Sequence, residues 1–479
     1  MFDRKTTMKN IQFTTENRAD MKRREFLSKI GWMSTGALAL SLFPRCGGGN
    51  STKKEVPLTF EAQYPKTDWT MGVVDPDISG TFKIMSWEGE FQFKKWGLII
   101  NKFFETYYPN MKVQLDWGIS FGNYNIKLPI LLAGGEPPDL VWMHDTRAKS
   151  FASLNLLQSL DPFIEHFKPL GWPEDYYPSQ IESFQYKGKQ YCFPYDFGTG
   201  GFYVNLDMYN KIDEGLPEED WTFDDILRVA KKLTKAKSQY GINLVPETNA
   251  SYQYWIVRSF GGEWFNEDLT ESRFNMPETI EAFQWTTDLR WKHKVSPLPD
   301  PIGQKRPPVF TEGIVAIDFE LGAPAFADFL EGKFNWTVAP TPRGPAGRYQ
   351  FVGGSSLAIP RNAQHRHIAY ELIRYMLSNP ENLKIIGKMG RMLVSRISMY
   401  EYGLPEGELA KKLSNYKHVF YDLALKDGVV VPYFYKYQEW DDIYRRNTQL
   451  LYYGDELDAR KVCLKLHDET NKFFDRINS

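Results

Sequence analysis

The chain has 479 residues, too many for one ordinary hydrophobic core and enough for two domains. Its hydrophobic fraction of 42 % and charged fraction of 25 % are typical of a globular protein. The formal net charge of −2 argues against a nucleic-acid binder, which normally carries a basic excess for phosphate contacts. Aromatic residues reach 15 %; most are expected in the core, although aromatics also line sugar-binding pockets.

Residues 1–46 have the composition of an export signal. Basic residues at 22–24 precede an apolar run at 30–43, which is too short to cross a bilayer as a helix. The pair Arg23-Arg24 resembles a twin-arginine signal. Met21 lies just upstream and is an alternative start to the first methionine.

Cys46 follows this run and has two interpretations. It is either a lipidated cysteine followed by a flexible tether, or an unmodified cysteine. The second interpretation arises because a lipobox has a small residue at the position that Arg45 occupies. Residues 47–79 are interpreted as tether and extended arm. Labelling with a palmitate analogue that disappears in Cys46→Ala is the expected result for a lipoprotein, and equal labelling of both proteins would exclude it.

The other cysteines, Cys192 and Cys463, form no C-x-x-C motif, so neither a zinc site nor a redox site is predicted. They are either paired in one disulfide or two buried free thiols.

From residue 80 onward, apolar patterns alternate between strand and helix. Predicted strands at 81–87, 112–117 and 139–143 are separated by helices at about 93–107 and 123–133. This alternation predicts a mostly parallel sheet covered by helices, with ligand sites beyond the carboxyl ends of the strands. Trp87-Glu88 and His144-Asp145 stand at such ends.

The later part of the chain continues with mixed elements. Two strands flank a glycine-rich loop within 188–205, and Thr222 with Asp225 forms an acidic capping box before a helix to about 234. Further predicted elements are helices at 278–291, 367–377 and 380–388, a strand at 352–360, and helices over the last 40 or so residues.

The sequence has no Gly-x-Ser-x-Gly elbow, no phosphate-binding loop and no His-Glu-x-x-His motif, three common signatures of enzymes. Carboxylate clusters at 218–220 and 441–442 are typical of solvated surface. A carbohydrate hydrolase needs two carboxylates across a cleft, and nothing in the sequence specifically supports such a pair.

Five short motifs in a fixed order resemble those of family 1 extracellular solute-binding proteins. They are GGEPPDLVW at 134–142, the Gly-Lys to Asn-Leu-Asp-Met-Tyr stretch at 186–209, WTFDDIL at 221–227, GGSSLAIP at 353–360 with the helix at 369–377, and GRMLVSR at 390–396, where Leu393-Val394 replaces the usual proline. The resemblance covers roughly residues 80–479.

This resemblance implies an α/β, two-lobed periplasmic-binding-protein fold of type II, with mostly parallel sheets flanked by helices and a ligand cleft between lobes. Lobe 1 is expected at 80–196 and 353–415, and lobe 2 at 197–352 and 416–479. The crossovers fall near 196–202 and 353–355. Gly200-Gly201 fits either a hinge or a tight turn.

The implied function is that of the extracytoplasmic, sugar-type component of an ABC importer, a non-enzymatic monomer without cofactor or metal, exported to the periplasm or cell surface. Its partners are a small solute, expected to be a mono- or oligosaccharide, and membrane permease subunits, with no nucleic acid. The alternatives are a secreted carbohydrate-active enzyme and a binding protein for another solute.

The predicted ligand residues fall into chemical groups. Carboxylate acceptors are Asp145, Asp196 and Glu320, because ionised carboxylates accept strongly from hydroxyls. Stacking candidates are Trp87, Trp255, Trp264 and Trp440, each equally expected in the core. Backbone N–H donors are expected at Gly353, Gly354 and Ser355, and Arg391 either reaches the cleft or forms a structural ion pair. The set is completed by Glu88, Tyr195, Thr199 and Tyr435.

Overall fold

A computed structural model describes residues 11–12, 72, 75–235, 238–244, 248–299, 309–330, 332–389, 392–404 and 415–479. The predicted export signal apart from Ile11 and Gln12, almost all of the tether, Cys46 and Arg391 lie outside these residues. The chain divides into two compact units. Unit 1 holds residues up to Tyr176, Phe184–Tyr195 and Ser355–Met389; unit 2 holds Tyr177–Ser183, Asp196–Gly354 and Gly390–Ser479.

The chain passes between the units at 195/196, at the start of the first predicted crossover, and at 354/355, inside the second. Besides the boundary residues Asp196, Gly353 and Gly354, two segments expected in lobe 1 belong instead to unit 2. The described residues 392–404 do so because Leu393 and Val394 pair with a strand of unit 2. The segment Tyr177–Ser183 does so because its Gln180 amide donates to the carbonyl of Gly353, at 2.7 Å.

Unit 1 is built on a sheet with the strand order β1-β3-β2-β4-β13-β7, in which only β13 runs against its neighbours. Its strands are β1 (Ile11–Gln12), β2 (Gly80–Met85), β3 (Met111–Asp116), β4 (Leu140–His144), β7 (Cys192–Pro194) and β13 (Ser355–Ala358), with a separate ribbon of β5 (Gln185–Tyr186) and β6 (Lys189–Gln190). Its helices are α1 (Glu90–Tyr107), α2 (Phe121–Gly134), α3 (Asp145–Ser153), α4 (Asp161–His166), α11 (Arg366–Ser378) and α12 (Pro380–Gly387).

The predicted alternation in unit 1 is confirmed, with helices that begin a few residues earlier than expected. Helix α1 buries Phe93, Trp96 and Phe103 on one side, the face that the 3.6-residue periodicity indicated. Helix α2 begins after Ser120, whose side chain accepts from the Asn123 N–H. This cap explains the early start of α2, since Ser120 comes before the first strongly periodic residues; α1 starts after Gly89 without a side-chain cap.

Unit 2 has a sheet of order β15-β12-β8-β10-β9, and β11 and β14 also pair with β8. The strands are β8 (Asp196–Asn205), β9 (Tyr240–Asn243), β10 (Val315–Leu321), β11 (Trp336–Ala339), β12 (Gln350–Gly353), β14 (Leu393–Val394) and β15 (Gly428–Val430). The helices are α5 (Pro178–Ser183), α6 (Leu206–Tyr209), α7 (Phe223–Leu233), α8 (Ala250–Phe260), α9 (Pro277–Trp291), α10 (Pro324–Phe329), a 3-10 turn (Ile397–Gly403), a π turn (His418–Asp422), α13 (Leu423–Asp427), α14 (Tyr437–Tyr453) and α15 (Ala459–Asn478).

Strand β8 is the centre of unit 2, antiparallel to β10, β11, β12 and β14 and buried along its whole length. Gly200 and Gly201 lie inside this strand, so the tight turn considered for them is absent. A Cβ on Gly200 would lie 2.1 Å from the Phe319 ring, and one on Gly201 would lie 2.8 Å from Phe420. Close side-chain packing is therefore the reason for glycine at both positions.

Two local predictions are settled by the fold. The capping box of Thr222 and Asp225 is confirmed at the start of α7. Cys192 and Cys463 are buried free thiols, and burial raises the pKa of the Cys192 thiol to about 12. None of the helices in the described residues is both long enough and apolar enough to span a membrane.

Candidate functional site

The carboxyl ends of β2, β3 and β4 form one edge of the unit 1 sheet, because these strands are parallel. Strand β13 starts at this edge, with Ser355 opposite His144. Five of the predicted ligand residues meet here: Trp87, Glu88, Asp145, Tyr195 and Ser355. Open α/β sheets bind ligands at such edges, so we treat this edge as the candidate site of unit 1.

Glu88 and Tyr195 form a hydrogen-bonded pair at this edge. The Tyr195 hydroxyl donates to Glu88 Oε1 at 2.9 Å, and both residues are buried. The Glu88 backbone is held as well, since its N–H donates to Ser86 Oγ and its carbonyl accepts from the Gly118 N–H, each at 3.0 Å. A ligand that engages Glu88 would therefore meet a carboxylate already fixed in place.

Asp145 is engaged by its neighbours. Its Oδ1 atom lies 2.7 Å from His144 Nδ1 and accepts from the Thr146 backbone N–H at 2.6 Å. Its side chain is 1 % exposed, whereas that of His144 is 30 % exposed. Asp145, a predicted ligand acceptor, is thus buried, with its Oδ1 atom close to the neighbouring histidine ring and backbone.

Aromatic rings surround these polar groups. The Trp87 indole meets the rings of Phe121 and Tyr124 edge-on, with centroids 5.3 and 5.0 Å apart. Trp87 is 8 % exposed and Phe121 is 41 % exposed, so Phe121 presents most of the apolar ring surface. Sequence reasoning missed Phe121. It follows the carboxyl end of β3 by five residues, and the argument that selected Trp87 after β2 would also have found it.

Unit 2 has a corresponding edge, where the parallel strands β9, β10, β12 and β15 end. Glu320 is the second-last residue of β10, Gly353 ends β12 and is followed by Gly354, and Tyr435 follows β15 by five residues. Tyr435 is partly exposed, with the Lys436 ammonium 5.5 Å above its ring.

Glu320 shares one face of β10 with Asp318. Asp318 is buried and accepts from the Asn243 side-chain amide at 2.7 Å. Burial raises the pKa of Glu320 to about 6. The pKa of Asp318 is raised well above its usual range by burial and by the negative charge of Glu320. The two carboxyls therefore disfavour being ionised together.

A test of this pair is the Glu320→Gln variant, compared with the wild type across pH. The folded-state pKa lies above the ordinary value of 4.5, so ionisation of Glu320 costs stability as the pH rises from about 4.5 to about 6. We expect the wild type to lose on the order of 2 kcal/mol relative to Glu320→Gln over this window. Guanidinium unfolding at each pH measures it; a difference independent of pH would contradict the assignment.

The structure gives three of the predicted stacking residues a different role. Trp255, Trp264 and Trp440 are fully buried in the core of unit 2. Trp255 stacks on Phe319 with centroids 5.2 Å apart, and Trp264 lies 5.6 Å from Trp440. Their ring faces are covered by other aromatic residues. They are therefore core residues, which was one of the two roles that the sequence allowed for them.

Other predicted residues have structural partners in unit 2. Thr199 is buried and its hydroxyl accepts from the Gln350 amide at 2.8 Å. Asp196 is buried and pairs in register with Val394. A Cβ on Gly354 would lie 2.6 Å from the Asp196 carbonyl, which explains glycine there by close packing. No group of three or more His, Cys, Asp or Glu side chains within the described ranges is placed to hold a metal ion.

Comparisons with known proteins place this geometry in a family. The model of the bacterial extracellular solute-binding proteins matches residues 92–382, more than half of the chain. The maltotriose-binding protein of Pyrococcus abyssi is 27 % identical over 273 residues, 54 % of each chain. The diacetylchitobiose binding protein DasA of Streptomyces coelicolor is 24 % identical over 265 residues, 53 % of this chain and 59 % of its own. The chain thus spans about half the length of these curated relatives.

Solved structures agree on the fold. The ABC substrate-binding protein Lmo0181 of Listeria monocytogenes, in complex with cycloalternan, has a TM-score of 0.69 at 24 % identity, covering 83 % of this chain and 99 % of its own. The sugar-binding protein MalE of Xanthomonas citri has a TM-score of 0.70 at 19 % identity, covering 83 % and 98 %. They confirm the predicted type II periplasmic-binding-protein fold. The chain belongs to the family of bacterial extracellular solute-binding proteins.

Proposed function

We propose that this protein is the solute receptor of an ABC importer and that it captures a mono- or oligosaccharide for delivery to a membrane permease. The observation that carries the proposal is the unit 1 edge, which holds the fixed Glu88 carboxylate and, packed against the neighbouring Trp87, the exposed ring of Phe121. Carboxylates accept from sugar hydroxyls, and aromatic rings pack against the apolar faces of sugar rings. Membership of a solute-binding family supports the same function.

The carbohydrate class is supported by the relatives as well. The curated relatives bind maltotriose and diacetylchitobiose, by their names. UgpB of Mycobacterium tuberculosis, in complex with glycerophosphocholine, shares the fold at a TM-score of 0.66 and 19 % identity. The fold therefore also serves a phosphorylated solute, and the ligand screen has to include one.

The proposal includes export, function as a monomer and the absence of catalysis. A twin-arginine-type signal at residues 1–46 would direct export, and lipidation of Cys46 would tether the protein to the membrane surface. The palmitate-labelling test with Cys46→Ala decides the tether. Sedimentation of the purified protein decides the oligomeric state.

The test of function is a thermal-shift screen followed by calorimetry. The panel holds maltotriose, diacetylchitobiose, cycloalternan and glycerophosphocholine. We expect a sugar to raise the unfolding temperature, since a ligand that binds the folded state stabilises it by about 2.7 kcal/mol at one hundred times its Kd. The sugar should be recovered unchanged by chromatography after prolonged incubation.

Two results would overturn the proposal. Stabilisation by glycerophosphocholine alone would make the protein a receptor for a different solute. Cleavage of a sugar by the purified protein, with loss of that activity after denaturation, would make it an enzyme. Mass spectrometry of small molecules that co-purify with the protein gives an independent identification of the ligand.

A further inference from the structure

We propose that Trp117 is the surface on which a sugar ring of the ligand stacks, and that its indole N–H donates to a hydroxyl of that sugar. The inference rests on the proposed function and adds a specificity-determining residue to the unit 1 edge. Trp117 was not among the predicted ligand residues, because the apolar alternation of the predicted strand at 112–117 extends to it.

The indole N–H of Trp117 distinguishes it from the other tryptophans that the structure describes. Most of them are buried, and three are partly exposed: Trp117, Trp285 and Trp291. The Trp291 N–H donates to the Leu451 carbonyl at 3.0 Å, and the Trp285 N–H is buried. The Trp117 N–H is neither buried nor hydrogen-bonded to any described residue, so it is available to a ligand.

The ring of Trp117 is held in a fixed plane. It stacks on Phe93, a buried residue of α1, with ring centroids 5.3 Å apart and an interplanar angle of 7°. No other aromatic ring among the described residues packs against this indole. Because the plane is fixed before a ligand arrives, stacking a sugar on the opposite face orders no further side chain.

Backbone hydrogen bonds place Trp117 beside Glu88. The Ser86 N–H donates to the Asp116 carbonyl at 2.9 Å, and the Gly118 N–H donates to the Glu88 carbonyl at 3.0 Å. Gly118 has a φ of +71°, in the left-handed region that glycine adopts without strain. These two bonds flank Trp117, so the indole and the Glu88 carboxylate belong to one connected part of the edge.

This combination of groups suits a neutral pyranose. A sugar ring has apolar C–H faces that pack on an aromatic ring, and hydroxyls on its rim that both donate and accept. The Trp117 N–H supplies a donor for such a hydroxyl, and the Glu88 carboxylate supplies an acceptor. The edge therefore offers an apolar face with polar groups beside it, which matches the two sides of sugar chemistry.

The first measurement needs no ligand. In the proton–nitrogen NMR spectrum, the indole signal of Trp117 is the one that disappears in Trp117→Phe. We expect this N–H to exchange with water much faster than that of Trp440, which is buried and donates to the Thr470 hydroxyl at 3.0 Å. Equal protection of the two N–H groups would overturn the inference, since the Trp117 N–H would then be engaged within the protein.

The second measurement is calorimetric affinity for the sugar identified by the screen. Trp117→Ala removes the ring and its N–H, and we expect it to weaken binding roughly tenfold, a common loss on truncating an aromatic anchor. Trp117→Phe keeps an aromatic face and loses only the donor, so it should weaken binding less than Trp117→Ala does. Trp291→Phe makes the same change at the end of α9 and, as the matched control, should bind as the wild type does.

A purely structural role for Trp117 gives a different pattern. If the indole only covered Phe93, Trp117→Ala would lower the midpoint of guanidinium unfolding and leave the affinity for sugar unchanged. That result would overturn the inference and leave the receptor function intact, whereas a wild-type protein that binds none of the sugars would overturn the receptor function itself. Where circular dichroism shows that Trp117→Ala does not fold, Trp117→Phe decides, and an unchanged affinity in it overturns the N–H contact.

Discussion

Replacing Trp440 by alanine is expected to destabilise unit 2 by about 3–5 kcal/mol, the range for removing a large aromatic side chain from a core. The indole is fully buried, lies 5.0 Å from the Phe265 ring and 5.4 Å from the Tyr444 ring, and donates from Nε1 to the Thr470 hydroxyl at 3.0 Å. The measurement is the midpoint of guanidinium unfolding. Phe91→Ala, at a ring that is 58 % exposed, should change stability by at most about 0.5 kcal/mol.

This experiment also separates the two roles that the sequence allowed for Trp440. A core residue loses stability on truncation, and Trp440→Phe should recover part of it. If Trp440→Ala instead unfolded at the wild-type midpoint and lost affinity for sugar, the tryptophan would be a ligand contact and its assignment to the core would be wrong.

Gly241→Ala should be the most damaging glycine substitution in the sheet of unit 2. A Cβ at this position would lie 2.1 Å from the carbonyl oxygen of Ala230 and 2.5 Å from its Cα, so β9 would have to move away from helix α7. The backbone of a packed helix cannot move aside to relieve such a clash as easily as the end of a flexible side chain can. We expect a cost of about 3 kcal/mol, the upper part of the range for overpacked cores.

The matched control is Gly97→Ala in α1, where a new Cβ meets no atom within 4 Å. Alanine is a better helix former than glycine, so this variant should gain about 0.5–1 kcal/mol. Both changes add one methyl group, and only local space distinguishes them. Equal unfolding midpoints for the two variants would contradict the close contact between β9 and α7.

Local patterns were sufficient to predict the architecture of unit 1. The period of two in β2 and the period of 3.6 in α1 are visible in the sequence, and parallel connectivity then brings the strand ends together. That is why Trp87, Glu88 and Asp145 were found at one edge. Each was selected by its place after a strand, which chain order alone determines.

The same reasoning could not predict what each side chain does there. Asp145 and His144 are adjacent in sequence, but which of them is buried depends on the turn from β4 into α3. Trp255, Trp264 and Trp440 come from three different helices or loops that pack together only in the folded core. No local pattern distinguishes such a tryptophan from one that stacks on a ligand.

The segmented make-up of unit 1 has a consequence for how the protein is made. Strand β13 fills the place between β4 and β7, yet Ser356 bonds to the carbonyl of Met143, 213 residues earlier in the chain. A nascent chain that ends before residue 355 therefore has β4 and β7 with unpaired edges, which invite association with other strands. Folding of unit 1 must wait for the whole 196–354 insertion to be synthesised, and pairing over such a distance is slow. The topology therefore requires that the edges of β4 and β7 be protected from other strands until synthesis of the chain is complete.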